Sequence, residues 1–157
     1  MENAKAYIAQ RVAKELKDGD VVNLGIGLPT LIPGYLPEGV QLVLQSENGI
    51  IGTGPKPTAE EADPLHVTDA GGAPAMVAPT GAYIDSCVSF GLIRGGHVDG
   101  TITGALEVDH EGNLPNGIIP GKKTPARGGE KDLGVGATKV SVAREHKARG
   151  NAKGVKK

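Results

Sequence analysis

The sequence predicts an α/β domain with a mixed, largely parallel sheet and flanking helices. Three observations carry that expectation. A helical pattern, a short apolar run, a Pro-containing turn and a second apolar run follow one another in the first 45 residues, the order of a βαβ unit. Glycine is abundant, at 25 residues against one Phe, three Tyr and no Trp, which fits sharp turns and a core of small aliphatic side chains. A length of 157 residues suits one compact domain rather than two large ones.

Residues 4–17 read as an amphipathic helix. Ile8, Val12 and Leu16 recur every four residues beside Ala9 and Ala13, while Lys5, Arg11, Lys14 and Lys17 face water. Asn3 is its expected N-cap and Gly19 its stop. Residues 21–24 form a short buried strand that runs into Gly25-Ile26-Gly27-Leu28-Pro29-Thr30, where Pro29 suits the first turn of a second helix. The next strand is expected at 41–45. Residues 53–64 form a Pro-rich acidic loop. A helix at 83–93 is expected to pack Ile84, Val88 and Leu92 and to close at Gly95-Gly96. Strand follows at 101–103 and 105–108, then a turn at Glu111-Gly112-Asn113. Residues 117–136 read as loop, and 139–143 alternate like a half-exposed strand.

Several function classes are disfavoured at once. A net charge of −1 gives no long-range attraction to nucleic acid or to an anionic membrane. No apolar run approaches the roughly 20 residues that span a bilayer, and Met1-Glu2-Asn3-Ala4-Lys5 lacks the apolar stretch of a signal peptide. Cys87 is the only cysteine, so neither an intrachain disulfide nor a cysteine zinc cluster is available, and it reads as a small core residue. A cytoplasmic setting is expected. Lys147, Arg149, Lys153, Lys156 and Lys157 mark 147–157 as a basic, flexible tail behind a domain at 1–146.

Glu47 stands out by position. It follows a strand and precedes Asn48-Gly49-Ile50-Ile51-Gly52-Thr53-Gly54-Pro55, and ligands of open α/β sheets bind beyond the carboxyl ends of strands. A positioned carboxylate can attack a thioester carbonyl, and neighbouring glycines let backbone N–H groups reach a developing oxyanion. An exposed strand end or a helix cap explains a lone Glu equally well. His97, after Arg94-Gly95-Gly96, has no companion ligands at metal spacing and reads as structural. Arg94 suits either an anion or a buried ion pair that orders its loop.

The wider pattern narrows the choice. Ser46-Glu47-Asn48-Gly49 with Gly52-x-Gly54-Pro55 resembles the active-site signature of the B-type chains of family I coenzyme A-transferases. So do the run from Asp20 to Thr30, Ser89-Phe90 with Ile93-Arg94-Gly95-Gly96-His97-Val98-Asp99, Gly112-Asn113-Leu114 and Ile119-Pro120-Gly121-Lys122. The resemblance spans residues 4–146 in the family's order and is nearest to the 3-oxoacid, acetoacetate and butyrate/acetate types. It implies the fold shared by CoA-transferases and ribose-5-phosphate isomerase. It also implies that Glu47 attacks an acyl-CoA to form a mixed anhydride. The released CoA thiolate then gives a glutamyl-CoA thioester, and an incoming carboxylate reverses the steps. Gly129, with Gly128 beside it, aligns with the glycine whose backbone N–H helps form the oxyanion hole, a turn glycine being the alternative. Asn48, Gly25 and Gly27 join them as expected oxyanion or CoA-binding positions. No metal and no permanently bound cofactor is expected, coenzyme A thioester being a substrate. The expected partner is an A-type CoA-transferase subunit.

The chain also departs from that pattern. The family continues past the strand at 139–143, and its Gly-Met-Gly-Gly-Ala-Met-Asp loop reads Ala126-Arg127-Gly128-Gly129-Glu130-Lys131-Asp132 here. Gly117 stands where a Trp is usual. Ser141 and Arg144, like Gly100 and Thr103, place polar or small residues where relatives are more apolar. A C-terminally shortened or redesigned domain is expected, its once-covered apolar surface made polar. A catalytically silent domain that keeps the fold, and at most binds CoA or a partner chain, is the alternative. A sugar-phosphate isomerase fits the Ser-Glu-Asn-Gly run poorly.

Overall fold

Asn3 caps the first helix as its chemistry requires, its side-chain oxygen accepting the Ala6 N–H at 3.1 Å. A computed structural model describes residues 3–105, 108–114, 130–148, 151–152 and 154–155. Helix α1 (Ala4–Ala13) ends earlier than its periodicity suggests. Glu15 and Leu16 N–H groups turn back to the carbonyls three residues before them, tightening the last turn. Gly19 instead makes the left-handed bend that leads into β1 (Val21–Leu24). A 3-10 segment (Leu28–Tyr35) with Pro29 in its first turn connects β1 to β2 (Val43–Ser46), and the two strands pair in parallel.

The sheet then reverses. β2 and β3 (Ile50–Thr53) form an antiparallel hairpin around Glu47-Asn48-Gly49, and β3 pairs antiparallel with β4 (Val77–Tyr83). Neither β3 nor β4 is expected from the sequence pattern. Pro79 and Gly81 interrupt the β4 pattern, yet Pro79 is tolerated because β4 is an edge strand. Gly52, at φ +77, forms part of the irregularity between Ile51 and Thr53. A Cβ built on it would lie 2.8 Å from the Gly81 Cα, so the two backbones meet where side chains would otherwise stand.

Helix α2 (Ser86–Arg94), capped by Asp85 accepting from the Val88 N–H, carries the chain to β5 (Gly100–Thr103) on the other side of β1. Its buried stripe is Ser89 and Ile93, not the expected Ile84, Val88 and Leu92; Val88 is 48% exposed. Cys87 is likewise exposed rather than in the core. After β6 (Val108–Asp109), the Asp109 carboxylate accepts the Glu111 and Asn113 N–H groups, fixing the expected turn. Residues 130–136, expected as loop, form helix α3 (Glu130–Gly136), and β7 (Lys139–Val142) pairs in parallel with β5. The six-stranded order is β4-β3-β2-β1-β5-β7, with β2, β1, β5 and β7 mutually parallel: a mixed, largely parallel sheet. Short strands β8 (Lys147–Ala148) and β9 (Asn151–Ala152) pair with each other, and β10 (Gly154–Val155) pairs with β6.

Helices cover both faces. Val22 and Ile102 pack with Ala9, Ala13 and Ile32 beneath α1 and the 3-10 segment. On the opposite face Ile93, Val98 and Leu133 join α2 and α3, and Val21 packs against them. Neighbours in one strand point to opposite faces, so Val21 and Asn23 look towards α2 while Val22 looks towards α1. Each fully buried Ile or Val contributes about 1.5–3 kcal/mol. Small Ala9 and Ala13, both fully buried, take the inner line of α1. Gly100 is buried in an interior strand, so its small size does not mark a solvent face. Among the described residues no helix is long and apolar enough to cross a membrane.

Candidate active site

The strand order turns at β1, whose neighbours β2 and β5 are reached by connections leading to opposite sides. Crevices at the carboxyl end of such a switch point are where ligands bind in open α/β sheets. Of the predicted residues, Gly25 and Gly27 follow the end of β1, and Glu47 and Asn48 follow the end of β2, its parallel neighbour. Asn23 and Gln45 are the last residues paired between β1 and β2, two positions before Gly25 and Glu47 respectively. Gly25 donates its N–H to the Ile102 carbonyl at 2.8 Å and is packed tightly, a Cβ there falling 3.2 Å from the Thr103 Cα. Gly27 follows as the residue before the 3-10 segment. Gly128 and Gly129 lie outside the described residues.

Each residue of the Ser-Glu-Asn-Gly turn has a separate structural task. The Ser46 hydroxyl accepts the Ala70 N–H at 2.9 Å, and the Asn48 side-chain amide donates to the Thr68 carbonyl at 2.8 Å. The loop between Thr68 and Pro74 is therefore stitched to both flanks of Glu47. Gly49 has φ +134, and a side chain there would strike the Ile84 carbonyl oxygen; its own carbonyl accepts the Ile84 N–H at 2.9 Å. Only glycine meets both demands. Glu47, half-buried, accepts from Asn23 Nδ2 through Oε2 at 3.0 Å.

Behind Glu47 stands a buried polar chain that the sequence reading did not assign. Asn23 Nδ2 also faces Gln45 Oε1 at 2.8 Å and the Gln45 carbonyl at 3.1 Å, and Gln45 Nε2 donates to Ser89 Oγ at 2.8 Å. Asn23 and Gln45 are 2% and 3% exposed and Ser89 is fully buried. Their only sequence signal is polarity at positions that an apolar strand or an inward helix stripe would fill. Buried polar groups are costly unless paired, and among the described residues no buried side-chain polar atom lacks a partner.

Other residues fall elsewhere. His97 is exposed, and no group of three or more potential metal ligands exists among the described residues. Arg94 pairs with Asp132 at 2.8 Å and lies 5.5 Å over the Phe90 ring, joining α2 to α3. That pair is exposed, with the Arg94 side chain 65% accessible, instead of buried. It holds the Asp132 carboxyl below its usual range, the hydrogen bond from Arg94 being the main cause. An open depression of 310 Å³ beside β4, lined by Val67, Met76, Val77 and Tyr83 among others, includes neither Glu47 nor Asn23.

A match to the family described as Coenzyme A transferase runs over residues 5–156. The chain belongs to the coenzyme A transferase family. It is 53% identical over 152 residues to the beta chain of the acetate CoA-transferase of Escherichia coli K12, covering 96% of this chain and 68% of that one. It is 45% identical over 149 residues to the B-type chain of a probable succinyl-CoA:3-ketoacid coenzyme A transferase of Bacillus subtilis, covering 93% and 67%. In fold it is similar to an acyl-CoA transferase from E. coli O157:H7, with TM-score 0.65 and 24% identity over 88% of this chain and 24% of that one. The expected α/β architecture is thus that of CoA-transferases, and the reaction class of this CoA-transferase chain is CoA transfer, of the beta-chain type.

Proposed function

We propose that this CoA-transferase chain moves coenzyme A between a short-chain acyl-CoA, or acetoacetyl-CoA, and a carboxylate through a thioester on Glu47. The observation that carries the reading is the Glu47 carboxylate, held at the carboxyl end of β2 by a buried amide. Three further features support it: the switch-point location, the anchored loop beside the turn, and beta-chain relatives named for acetate and 3-ketoacid CoA transfer.

The reaction divides into steps that suit a carboxylate. A Glu47 oxygen attacks the thioester carbonyl and expels CoA thiolate, leaving a mixed anhydride. The thiolate attacks the Glu47 carboxyl carbon and releases the substrate's carboxylate. The enzyme now carries the thioester, so its energy is kept, and a second carboxylate takes CoA by the reverse sequence. Backbone N–H groups at Gly128 and Gly129 serve the substrate oxyanion, and Gly25, Gly27 and Asn48 border the site. Coenzyme A thioester is substrate rather than resident cofactor. The relatives' names, which mark them as beta chains, support an alpha-type subunit as partner.

Intact mass tests the reading. The chain is incubated with acetoacetyl-CoA, with and without an alpha-type subunit. A CoA adduct that Glu47→Ala abolishes is expected. No adduct in the presence of the partner would leave a catalytically silent domain.

A further inference from the structure

The buried chain behind Glu47 has a polarity. Asn23 Nδ2 faces three acceptors, Glu47 Oε2, Gln45 Oε1 and the Gln45 carbonyl. Turning the amide over would set its oxygen against a carboxylate and two carbonyl-type oxygens, so the orientation is fixed by its surroundings. With Gln45 Oε1 committed to Asn23, Gln45 Nε2 must point to Ser89 Oγ, as it does. Helix α2 thereby aims a donor across the sheet at one oxygen of Glu47. Two hydrogens serve three acceptors, so the Gln45 carbonyl, the most distant of them at 3.1 Å, can release its share as charge on Oε2 grows.

We infer that Asn23 is the oxyanion donor for the glutamate's own carboxyl carbon. This rests on Glu47 being the nucleophile. The oxygen held by Asn23 is not the one in the anhydride bridge, so Oε1 attacks the acyl-CoA and Oε2 becomes the glutamyl carbonyl oxygen. When CoA thiolate attacks the carboxyl carbon, the C–S bond forms and the negative charge moves onto Oε2. The carbon–Oε1 bond then breaks, its electron pair leaving with the substrate carboxylate. No proton is transferred. A donor already in place and locked by Gln45 and Ser89 stabilises that charge without reorganisation. Asn23 therefore acts at the step that builds the thioester and, in reverse, at the step that opens it. Gln45 and Ser89 are positioning residues.

The test follows single-turnover formation of the Glu47 adduct from acetoacetyl-CoA, by rapid quench and intact mass, in the chain assembled with its alpha-type subunit. Asn23→Asp replaces the donor with a like charge 3.0 Å from Glu47. Adduct formation is expected to slow by at least about ten-fold at neutral pH. Its acid limb is expected to rise by about one pH unit, because a neighbouring carboxylate disfavours ionised Glu47. Ser89→Ala removes one oxygen at the far end and is expected to slow the step about three-fold with the limb unmoved. Unchanged rate and pH profile in Asn23→Asp would overturn the inference. Should that variant not fold, wild-type kinetics in Ser89→Ala would overturn it. Failure of the nucleophile reading looks different: wild type would form no adduct that Glu47→Ala removes.

Discussion

Lys139 Nζ lies 2.8 Å from Glu15 Oε2, tying the start of edge strand β7 to the turn that ends α1, 124 residues earlier. Arg11 reaches the other Glu15 oxygen at 2.6 Å, so one carboxylate holds two cations.

That arrangement makes the stability of the chain depend on pH. The hydrogen bond from Lys139, followed by that from Arg11, lowers the Glu15 pKa from 4.5 to about 2. A depressed carboxyl pKa stabilises the folded state fully above the unfolded value of 4.5, and the contribution is lost as pH falls towards 2. Glu15→Gln is expected to lower Tm slightly at neutral pH, with the difference from wild type closing across that window. The pair is exposed, so added salt should shrink the effect. A pH-independent difference in Tm would refute the assignment.

Gly49→Ala tests the turn that carries Glu47. The left-handed backbone alone costs of order 1–3 kcal/mol for a side-chain-bearing residue, and the Ile84 carbonyl blocks the added carbon. Thermal melting should show a clear loss of stability, together with loss of the CoA adduct. A variant with wild-type Tm would mean that the turn relaxes freely.

Ser46→Ala and Asn48→Ala should each free the loop between Thr68 and Pro74. Each removes one hydrogen bond, worth about 1 kcal/mol, and the first leaves the Ala70 N–H without its acceptor. Hydrogen exchange at Ala70 should accelerate in Ser46→Ala, and limited proteolysis should cut the loop faster in both. Equal protection in wild type and variants would show that the loop holds itself.

β7 should show an alternating exchange pattern. The Lys139 and Ala143 amides donate to the Asp99 and Thr103 carbonyls at 3.0 and 2.9 Å. Residues between them alternate in direction, which turns Val140 and Val142 amides away from β5. Slow exchange at Lys139 and Ala143 with fast exchange at Val140 and Val142 is expected. Uniformly strong protection across 139–143 would show that β7 is paired on both sides rather than at the sheet edge.

Much of the parallel half was legible because local chemistry and tertiary demand agree there. Asn3 caps, Ala9 and Ala13 line the inner face of α1, and Val21–Leu24 is a strand in which only Asn23 breaks the apolar run. The place of Glu47 just after β2 was legible from the apolar run before it. The antiparallel half was not, since what holds Gly52 and Gly81 in strands is mutual contact across the sheet rather than propensity. Helix α3 was hidden by Gly134 and Gly136, and its existence depends on Leu133 reaching the Ile93–Val98 cluster. The buried stripe of α2 lies one position away from its apolar repeat because it includes a serine. Ser89 is there to serve Gln45. Polar residues with a buried task look like errors in a hydrophobic pattern until their partners are seen.

The meeting of Gly52 with Gly81 limits how this sheet can vary. A contact between two side chains can be lost at one position and restored by a change at the other. Here both partners are bare backbone, so neither position has a substitute for the other to compensate. Drift at the β3–β4 seam is confined to residues around the two glycines, and a pair of replacements would be no better tolerated than either alone.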